Sequence, residues 1–86
     1  MKRTLERWNR ILAFVGVTCE QLPPEQYAKC VVKLRIPHGI ASFGRADTIE
    51  EAIDHASCGI PLDWYSVERR MDNQETEAAW AAIAHL

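Results

Sequence analysis

The residues best suited to chemistry are a histidine and a cysteine three positions apart, His55 and Cys58. Residues at this spacing share one face of a helix, and an imidazole beside a thiol can activate a nucleophile or supply two ligands to zinc. Cys58 falls near a helix C-terminus, however, where the helix dipole disfavours a thiolate. No glycine-rich phosphate loop, CxxC pair or zinc-site spacing accompanies the pair. We therefore predict a protein that is not an enzyme, with no catalytic residue, no metal site and no cofactor.

Arginines are the second group with a chemical use, and they outnumber lysines seven to three. Arg3, Arg7 and Arg10 are spaced so that one side of a helix would carry all three. Such a row can bind phosphates or carboxylates through paired hydrogen bonds, but it can equally be an ordinary solvated helix face. A second basic row is expected on the exposed side of a strand, at Lys29, Lys33 and Arg35. Both rows are candidate contacts for an anionic partner.

Three tryptophans in so short a chain are a further signal. Trp8 and Trp80 fall on apolar helical stripes, so both are expected in the core. Trp64 follows a turn at Pro61 and is expected to be exposed, and Trp, Tyr and Arg dominate the binding energy of protein interfaces. Its neighbours complete a candidate partner-binding set: Tyr65, Arg69 and Arg70.

Charge is distributed unevenly along the chain, although the formal net charge is only −2. Residues 1–45 contain eight basic and three acidic side chains, whereas residues 46–86 contain two basic and nine acidic ones. This asymmetry fits a basic face for an anionic partner, an acidic face for a basic one, or two halves that neutralise each other within the fold or a dimer. The acidic candidates for contact with a basic groove are Glu50, Glu51 and Asp54.

The spacing of apolar residues predicts the elements that position these groups. Helical periodicity over residues 3–16 predicts an amphipathic helix, and residues 18–26, with two consecutive prolines, predict a connector. The period then becomes two, which predicts a β-hairpin with strands at residues 30–36 and 40–46. Gly44 indicates either a bulge or a close approach of a helix to the sheet.

Two helices are predicted in the second half of the chain. Capping-box spacing begins one of them, either at Asp47 with Glu50 or at Thr48 with Glu51, and this helix ends near Cys58. Residues 64–71 fit either a short strand or a helix capped by Asp63, and their strand-forming residues favour the strand. An alanine-rich segment from residue 72 or 73 through residue 86 predicts the last helix.

Length and composition bound the class of protein. Eighty-six residues, 48% apolar and 26% charged, predict a single folded domain over residues 1–86. The expected fold class is α+β, with a small antiparallel sheet, made of the hairpin and a third strand, packed by two to three helices. The longest apolar run, seven residues, is too short for a membrane span, and charged residues interrupt any secretion signal. Three cysteines without a pairing pattern fit reduced, mostly buried thiols, so a cytoplasmic protein is expected.

The segment VVKLRIPHGIASFGRADTIEEAIDHA, at residues 31–56, is followed by DWYSV at residues 63–67. This arrangement of a hairpin, a helix start and a Trp-containing segment resembles a small module of phages and plasmids, over about residues 27–70. It is similar in size and layout to small virus-encoded inhibitors of bacterial immunity, including anti-CRISPR proteins. The resemblance implies a stoichiometric inhibitor without a cofactor that binds a host complex, and it assigns no site residue.

Together these features favour a non-enzymatic interaction protein that inhibits a host protein or nucleoprotein complex, such as a CRISPR-type defence complex, by covering its surface. One face of a small domain can supply the roughly 800 Å² that a standard interface buries on each partner. Direct nucleic-acid binding is not expected, because the isoelectric point is about 5.9 and no helix-turn-helix is evident. The sequence is compatible with both a monomer and a homodimer. The alternative function is an oligomer that stacks a nucleotide on an aromatic ring and binds its phosphates with arginine.

Overall fold

The computed structural model describes residues 3–84, and its first helix, α1, spans Leu5–Val15. The helix begins at Thr4, whose hydroxyl accepts a hydrogen bond from the Arg7 amide at 3.1 Å, as an N-cap requires. It ends at Gly16, whose φ of 74° lies in the left-handed region. Its buried side consists of Trp8, Ile11 and Leu12. The predicted amphipathic helix is confirmed.

Three antiparallel strands form an open sheet in the order β1-β2-β3: Thr18–Leu22, Cys30–Arg35 and Ala41–Ala46. Strands β2 and β3 are the predicted hairpin, with Val32 opposite Gly44 in the register. Val32 and Leu34 point into the core and are fully buried, whereas Lys33 and Arg35 lie on the other side of the sheet. The alternation of the sequence therefore predicts both the hairpin and its buried face.

The third strand of the sheet is β1 rather than the segment at residues 64–71. The prediction of a connector at residues 18–26 is wrong for β1, which pairs along its whole length with β2, from Thr18 opposite Arg35 to Leu22 opposite Val31. As an edge strand, β1 exposes its first four residues and carries no apolar alternation. Both prolines follow the end of the strand, where they interrupt no ladder of hydrogen bonds.

Helix α2 spans Ile49–Ser57 and lies across β2 and β3. The Thr48 hydroxyl accepts a hydrogen bond from the Glu51 amide at 3.2 Å, which confirms the predicted start. The helix passes so close to β3 that a methyl group on Gly44 would stand 1.7 Å from the Ala52 carbonyl oxygen. Gly44 therefore marks a close approach of helix and sheet, one of the two predicted alternatives.

Helix α3 is one continuous helix at Trp64–Ala84, so the prediction of a strand at residues 64–71 with a separate helix after it is wrong. Asp63 begins the helix, because its carboxylate accepts hydrogen bonds from the Ser66 amide at 3.3 Å and the Ser66 hydroxyl at 2.8 Å. The stripe that packs against or within the core is Trp64, Val67 and Met71. Capping and packing at helical spacing thus override the strand propensity of these residues. Residues 85 and 86 of the predicted helix lie outside the described residues.

Helices α1 and α2 pack on one face of the sheet, and α3 packs on α1. The Trp64 indole nitrogen donates a hydrogen bond to the Ser57 carbonyl at 2.9 Å and joins the start of α3 to the end of α2. These elements make an α+β fold, as predicted. Within residues 3–84, every helix is too short or too polar to cross a membrane.

Candidate functional site

The three arginines of α1 face α3 and form ion pairs along it. The pairs are Arg3–Glu68 at 3.3 Å, Arg7–Glu68 at 2.6 Å, Arg7–Asp72 at 2.7 Å and Arg10–Glu75. One pair from each arginine joins residues 65 positions apart, so α1 and α3 run parallel at a constant offset. We call these six side chains the arginine ladder.

Hydrogen bonds within the arginine ladder stabilise the charged forms of Arg7 and Asp72. Hydrogen bonds from Arg7 hold the pKa of Asp72 below its usual range, and hydrogen bonds to Asp72 and Glu68 raise the pKa of Arg7. An external phosphate would have to displace these carboxylates before it could bind the arginines. The two oppositely charged halves of the chain therefore neutralise each other here, which is one of the three explanations that the charge pattern left open.

The predicted aromatic contact set is divided between two sides of α3. The prediction that Trp64 is exposed is wrong, because its ring is half-buried and meets Trp8 edge to face, with centroids 5.5 Å apart. Tyr65, Arg69 and Arg70 are exposed, and the Arg69 guanidinium lies 5.8 Å from the centroid of the Tyr65 ring. Tyr65 and Arg69 thus remain together on the surface, while Trp64 supports the core.

The acidic candidates of α2 lie beside the N-terminal part of α1. Glu50 and Glu51 are half-buried and Asp54 is exposed. Together with Arg3, Trp8 and His55 they line a cavity of about 120 Å³. Pockets that hold drug-sized ligands have volumes of roughly 300 Å³ or more, so this cavity is too small for a nucleotide.

His55 and Cys58 do not form a pair. The His55 Nδ1 atom lies 2.9 Å from the Arg45 carbonyl oxygen, to which it donates, and the Cys58 thiol donates to the Asp54 carbonyl at 3.5 Å. All three cysteines are free, but Cys19 and Cys58 are exposed and Cys30 is half-buried, so the prediction that they are mostly buried is wrong. Within residues 3–84, no three His, Cys, Asp or Glu side chains converge as metal ligands would.

The feature that sequence reasoning misses is the second half of α3. Residues 73–84 are all exposed, and we call them the projecting segment. The prediction of a buried Trp80 is wrong, since 68% of it is exposed, and Ile83 is 57% exposed. Trp80 follows the buried Met71 by nine residues, which is about 180° around a helix, so it points away from the core. The signal in the sequence is the spacing itself, because Trp64, Val67 and Met71 share one side of a continuous helix and Trp80 falls on the opposite side.

The projecting segment makes the chain elongated. The molecule measures 55 × 26 × 20 Å and has a radius of gyration of 15.1 Å, whereas a compact domain of this length has about 12 Å. Its accessible surface is 6205 Å², about 1,000 Å² more than the roughly 5,200 Å² typical of a monomer of this mass. That excess exceeds the roughly 800 Å² that a protein buries in a standard interface.

Protein-family models, curated proteins and solved structures show no match to this chain. Two of its exposed surfaces combine aromatic and charged side chains: the outer side of α3 and the outer face of the sheet.

Proposed function

We propose that this protein is a non-enzymatic binding protein that inhibits a larger host complex by covering part of its surface, with α3 as the contact element. The observation that carries this proposal is the projecting segment, which exposes Trp80 and Ile83 and buries none of its side chains, although Glu75 near its start is paired with Arg10. Tryptophan is among the residue types that contribute most to protein interfaces. A short helix without tertiary contacts is marginally stable in water, so a partner that covers it also stabilises it.

The outer side of α3 carries one continuous stripe of contact residues. Tyr65 and Ile83 are eighteen residues apart, which is five full helical turns, and Trp80 follows Arg69 by eleven residues, about 20° from three full turns. Tyr65 and Arg69, two exposed residues that the sequence predicts as contacts, therefore share a side of the helix with Trp80 and Ile83. A stripe of this kind is what a helix presents when it lies in the groove of a partner.

The charge of the projecting segment defines the partner's chemistry. Residues 73–84 contain two acidic residues, Glu77 and the Arg10-paired Glu75, and no basic residue. An apolar groove with a basic rim complements this segment, and basic grooves occur where proteins bind nucleic acid. A host nucleoprotein complex presents such a groove, and the resemblance to inhibitors of bacterial immunity makes a defence complex of the CRISPR type the proposed target.

The nucleotide-binding alternative has less support from the geometry. Its phosphate contacts would be Arg3, Arg7 and Arg10, which carboxylates of α3 already engage. The cavity beside Trp8 is too small to enclose a nucleotide. A protein that inhibits by covering a surface needs neither unpaired arginines nor a ligand cavity.

The test compares tagged wild-type protein with a Trp80→Ala/Ile83→Ala double variant. Both are used to capture partners from host lysate, and the captured complex is then titrated for loss of activity. A Tyr27→Ala/Ile40→Ala variant is the matched control, because it removes an exposed aromatic and an exposed isoleucine that lie outside α3. We expect one-to-one inhibition by the wild type and the control, and affinity at least about 30-fold weaker for the α3 variant.

Two results would contradict the proposal. Inhibition that is complete at far less than one protein per complex would indicate an enzyme. Equal affinity of the α3 variant and the wild type would place the contact on another surface.

A further inference from the structure

The outer face of the sheet, away from α1 and α2, carries a patch that the proposed function does not use. Side chains of the three strands form rows across this face, and one row is Glu20, Lys33 and Phe43. Phe43 is 47% exposed, and the Lys33 ammonium group lies 5.7 Å from the centroid of its ring. Arg35, two residues after Lys33, centres the next row and is exposed. The patch is thus an exposed ring beside two cations.

These cations differ from those of the arginine ladder. Within residues 3–84, neither Lys33 nor Arg35 is part of an ion pair, and the same holds for Lys29, which is exposed just before β2. Arg45 also faces outward from β3, but Glu25 binds it at 2.8 Å. The second basic row of the sequence therefore keeps its charge available to a partner, whereas the first does not.

The fold separates charges that cancel in the chain as a whole. Most acidic residues belong to α2 and α3, on the helical side of the sheet, while Glu20 is the acidic member of the outer rows. The isoelectric point of about 5.9 consequently describes the sum of two different surfaces. An acidic isoelectric point for the whole chain therefore does not exclude nucleic-acid binding at the outer face alone.

We infer that this face binds single-stranded nucleic acid, with Phe43 as a platform for one base and Lys33 and Arg35 as contacts for the adjoining phosphates. Proteins that bind single strands combine aromatic rings, on which bases stack, with cations that follow the backbone. An exposed ring on an open sheet reaches the face of an unpaired base, whereas bases of a duplex present only their edges in the grooves. The inference is independent of the proposed function, because it concerns the opposite side of the molecule.

The first test measures fluorescence anisotropy of a labelled twelve-nucleotide oligo-dT with the full chain in about 50 mM NaCl. We expect a dissociation constant on the order of 10 μM, in the range of sequence-independent binding. Phe43→Leu keeps an apolar side chain but removes the ring, and should weaken binding by about fivefold or more. Phe43→Tyr retains the ring and should bind like the wild type.

The second test measures the salt dependence of the same binding. Loss of two phosphate contacts in Lys33→Gln/Arg35→Gln should reduce the slope of log affinity against log salt by about 1.4. The exchange variant Lys33→Arg/Arg35→Lys keeps both charges and should keep the slope. Circular dichroism of each variant establishes that it is folded.

Several outcomes would overturn the inference. Oligo-dT that shows no binding at about 100 μM protein, a Phe43→Leu variant with wild-type affinity, or a neutralised variant with an unchanged slope would each do so. Competition by polyglutamate as effective as by unlabelled oligo-dT would assign the face to an acidic peptide instead. The Trp80→Ala/Ile83→Ala variant should bind oligo-dT normally, which separates this surface from the proposed protein contact.

Discussion

Arg7 of α1 binds both carboxylate oxygens of Asp72 on α3: its Nη2 atom donates to Oδ1 at 2.9 Å and to Oδ2 at 2.7 Å. The Nε atom of the same guanidinium donates to Glu68 at 2.6 Å. One side chain therefore joins two successive turns of α3 and fixes how far α3 is shifted along α1. Because these bonds favour the charged carboxylate, the pKa of Asp72 in the folded protein is lower than usual.

This pair predicts a loss of stability in acid. A carboxyl group whose pKa is lower in the folded than in the unfolded chain stabilises the fold above its unfolded pKa, about 3.9, and this contribution disappears as pH falls through the folded value. We expect the unfolding temperature to drop as pH falls below about 4. Thermal unfolding followed by tryptophan fluorescence from about pH 7 to about pH 3 measures the effect.

The variant Asp72→Asn isolates the contribution of this pair. It should unfold at a lower temperature than the wild type at neutral pH, and the difference should shrink as the solution becomes acidic. Glu77→Gln makes the same chemical change at an exposed carboxylate of α3 outside the ladder and should follow the wild-type curve. The lowered pKa of Asp63 acts in all three proteins and so cancels in the comparison. A difference between Asp72→Asn and wild type that is constant with pH would contradict this account.

Gly44 predicts a sharp difference between two glycines of the hairpin. Gly44→Ala would place a methyl group 1.7 Å from the Ala52 carbonyl, so α2 would have to move off the sheet, at a cost of about 3 kcal/mol or more. Gly39→Ala meets only the Ile36 side chain, at 3.7 Å, and should change the free energy of unfolding by less than about 0.5 kcal/mol. Urea denaturation measures both. Similar midpoints for the two variants would show that α2 and β3 are farther apart.

Local patterns with a strong physical cause are the part of the fold that the sequence predicts. The first helix, the hairpin and α2 each combine a regular apolar period with a capping or turn residue, and each was predicted correctly. In α1, for instance, Trp8, Ile11 and Leu12 share one buried side and Gly16 ends the helix. Such elements can be predicted from local sequence because the residues that determine their structure are close together in the chain.

The errors arise where the deciding contacts are distant in sequence. Strand β1 is held by its pairing with β2 and shows almost no buried side chains of its own. At residues 64–71 the Asp63 cap and the contact of Trp64 with Trp8 select a helix from two local alternatives. Neither β1 nor the start of α3 can therefore be decided from its own residues.

For the candidate contact residues too, local sequence predicts the helix face, whereas distant contacts determine the environment. Arg3, Arg7 and Arg10 were correctly placed on one side of a helix, but only the fold shows that α3 supplies carboxylates at matching positions. Trp64 and Trp80 exchange their predicted environments. Trp64 lies on the same side of α3 as Met71 and is half-buried, whereas Trp80 lies about 180° around the helix from Met71 and is exposed. The direction of a long helix relative to the core is a tertiary property.

This exchange predicts opposite effects for two tryptophan substitutions. Trp8 is 1% exposed, and Trp8→Ala should cost about 3–5 kcal/mol, enough to unfold much of a small domain. Trp80→Ala removes a side chain that contacts mainly solvent and should change stability by less than about 0.5 kcal/mol. Chemical denaturation followed by far-UV circular dichroism compares the two without depending on the fluorophore removed. A cost of several kcal/mol for Trp80→Ala would mean that the segment is covered, by this chain or by a second copy.

Removal of the projecting segment beyond Thr76 provides the most direct test of its role. A chain that ends at Thr76 keeps the arginine ladder and every buried side chain of residues 3–84, so it should unfold at nearly the wild-type temperature. Small-angle X-ray scattering should give a radius of gyration near 15.1 Å for the full monomer and about 12 Å for the shortened one. If the full chain also measured about 12 Å, the segment would fold back onto the domain and hide Trp80. If the mass doubled in the full chain alone, the segment would bind a second copy, and the roughly 1,000 Å² of excess surface would belong to a dimer interface.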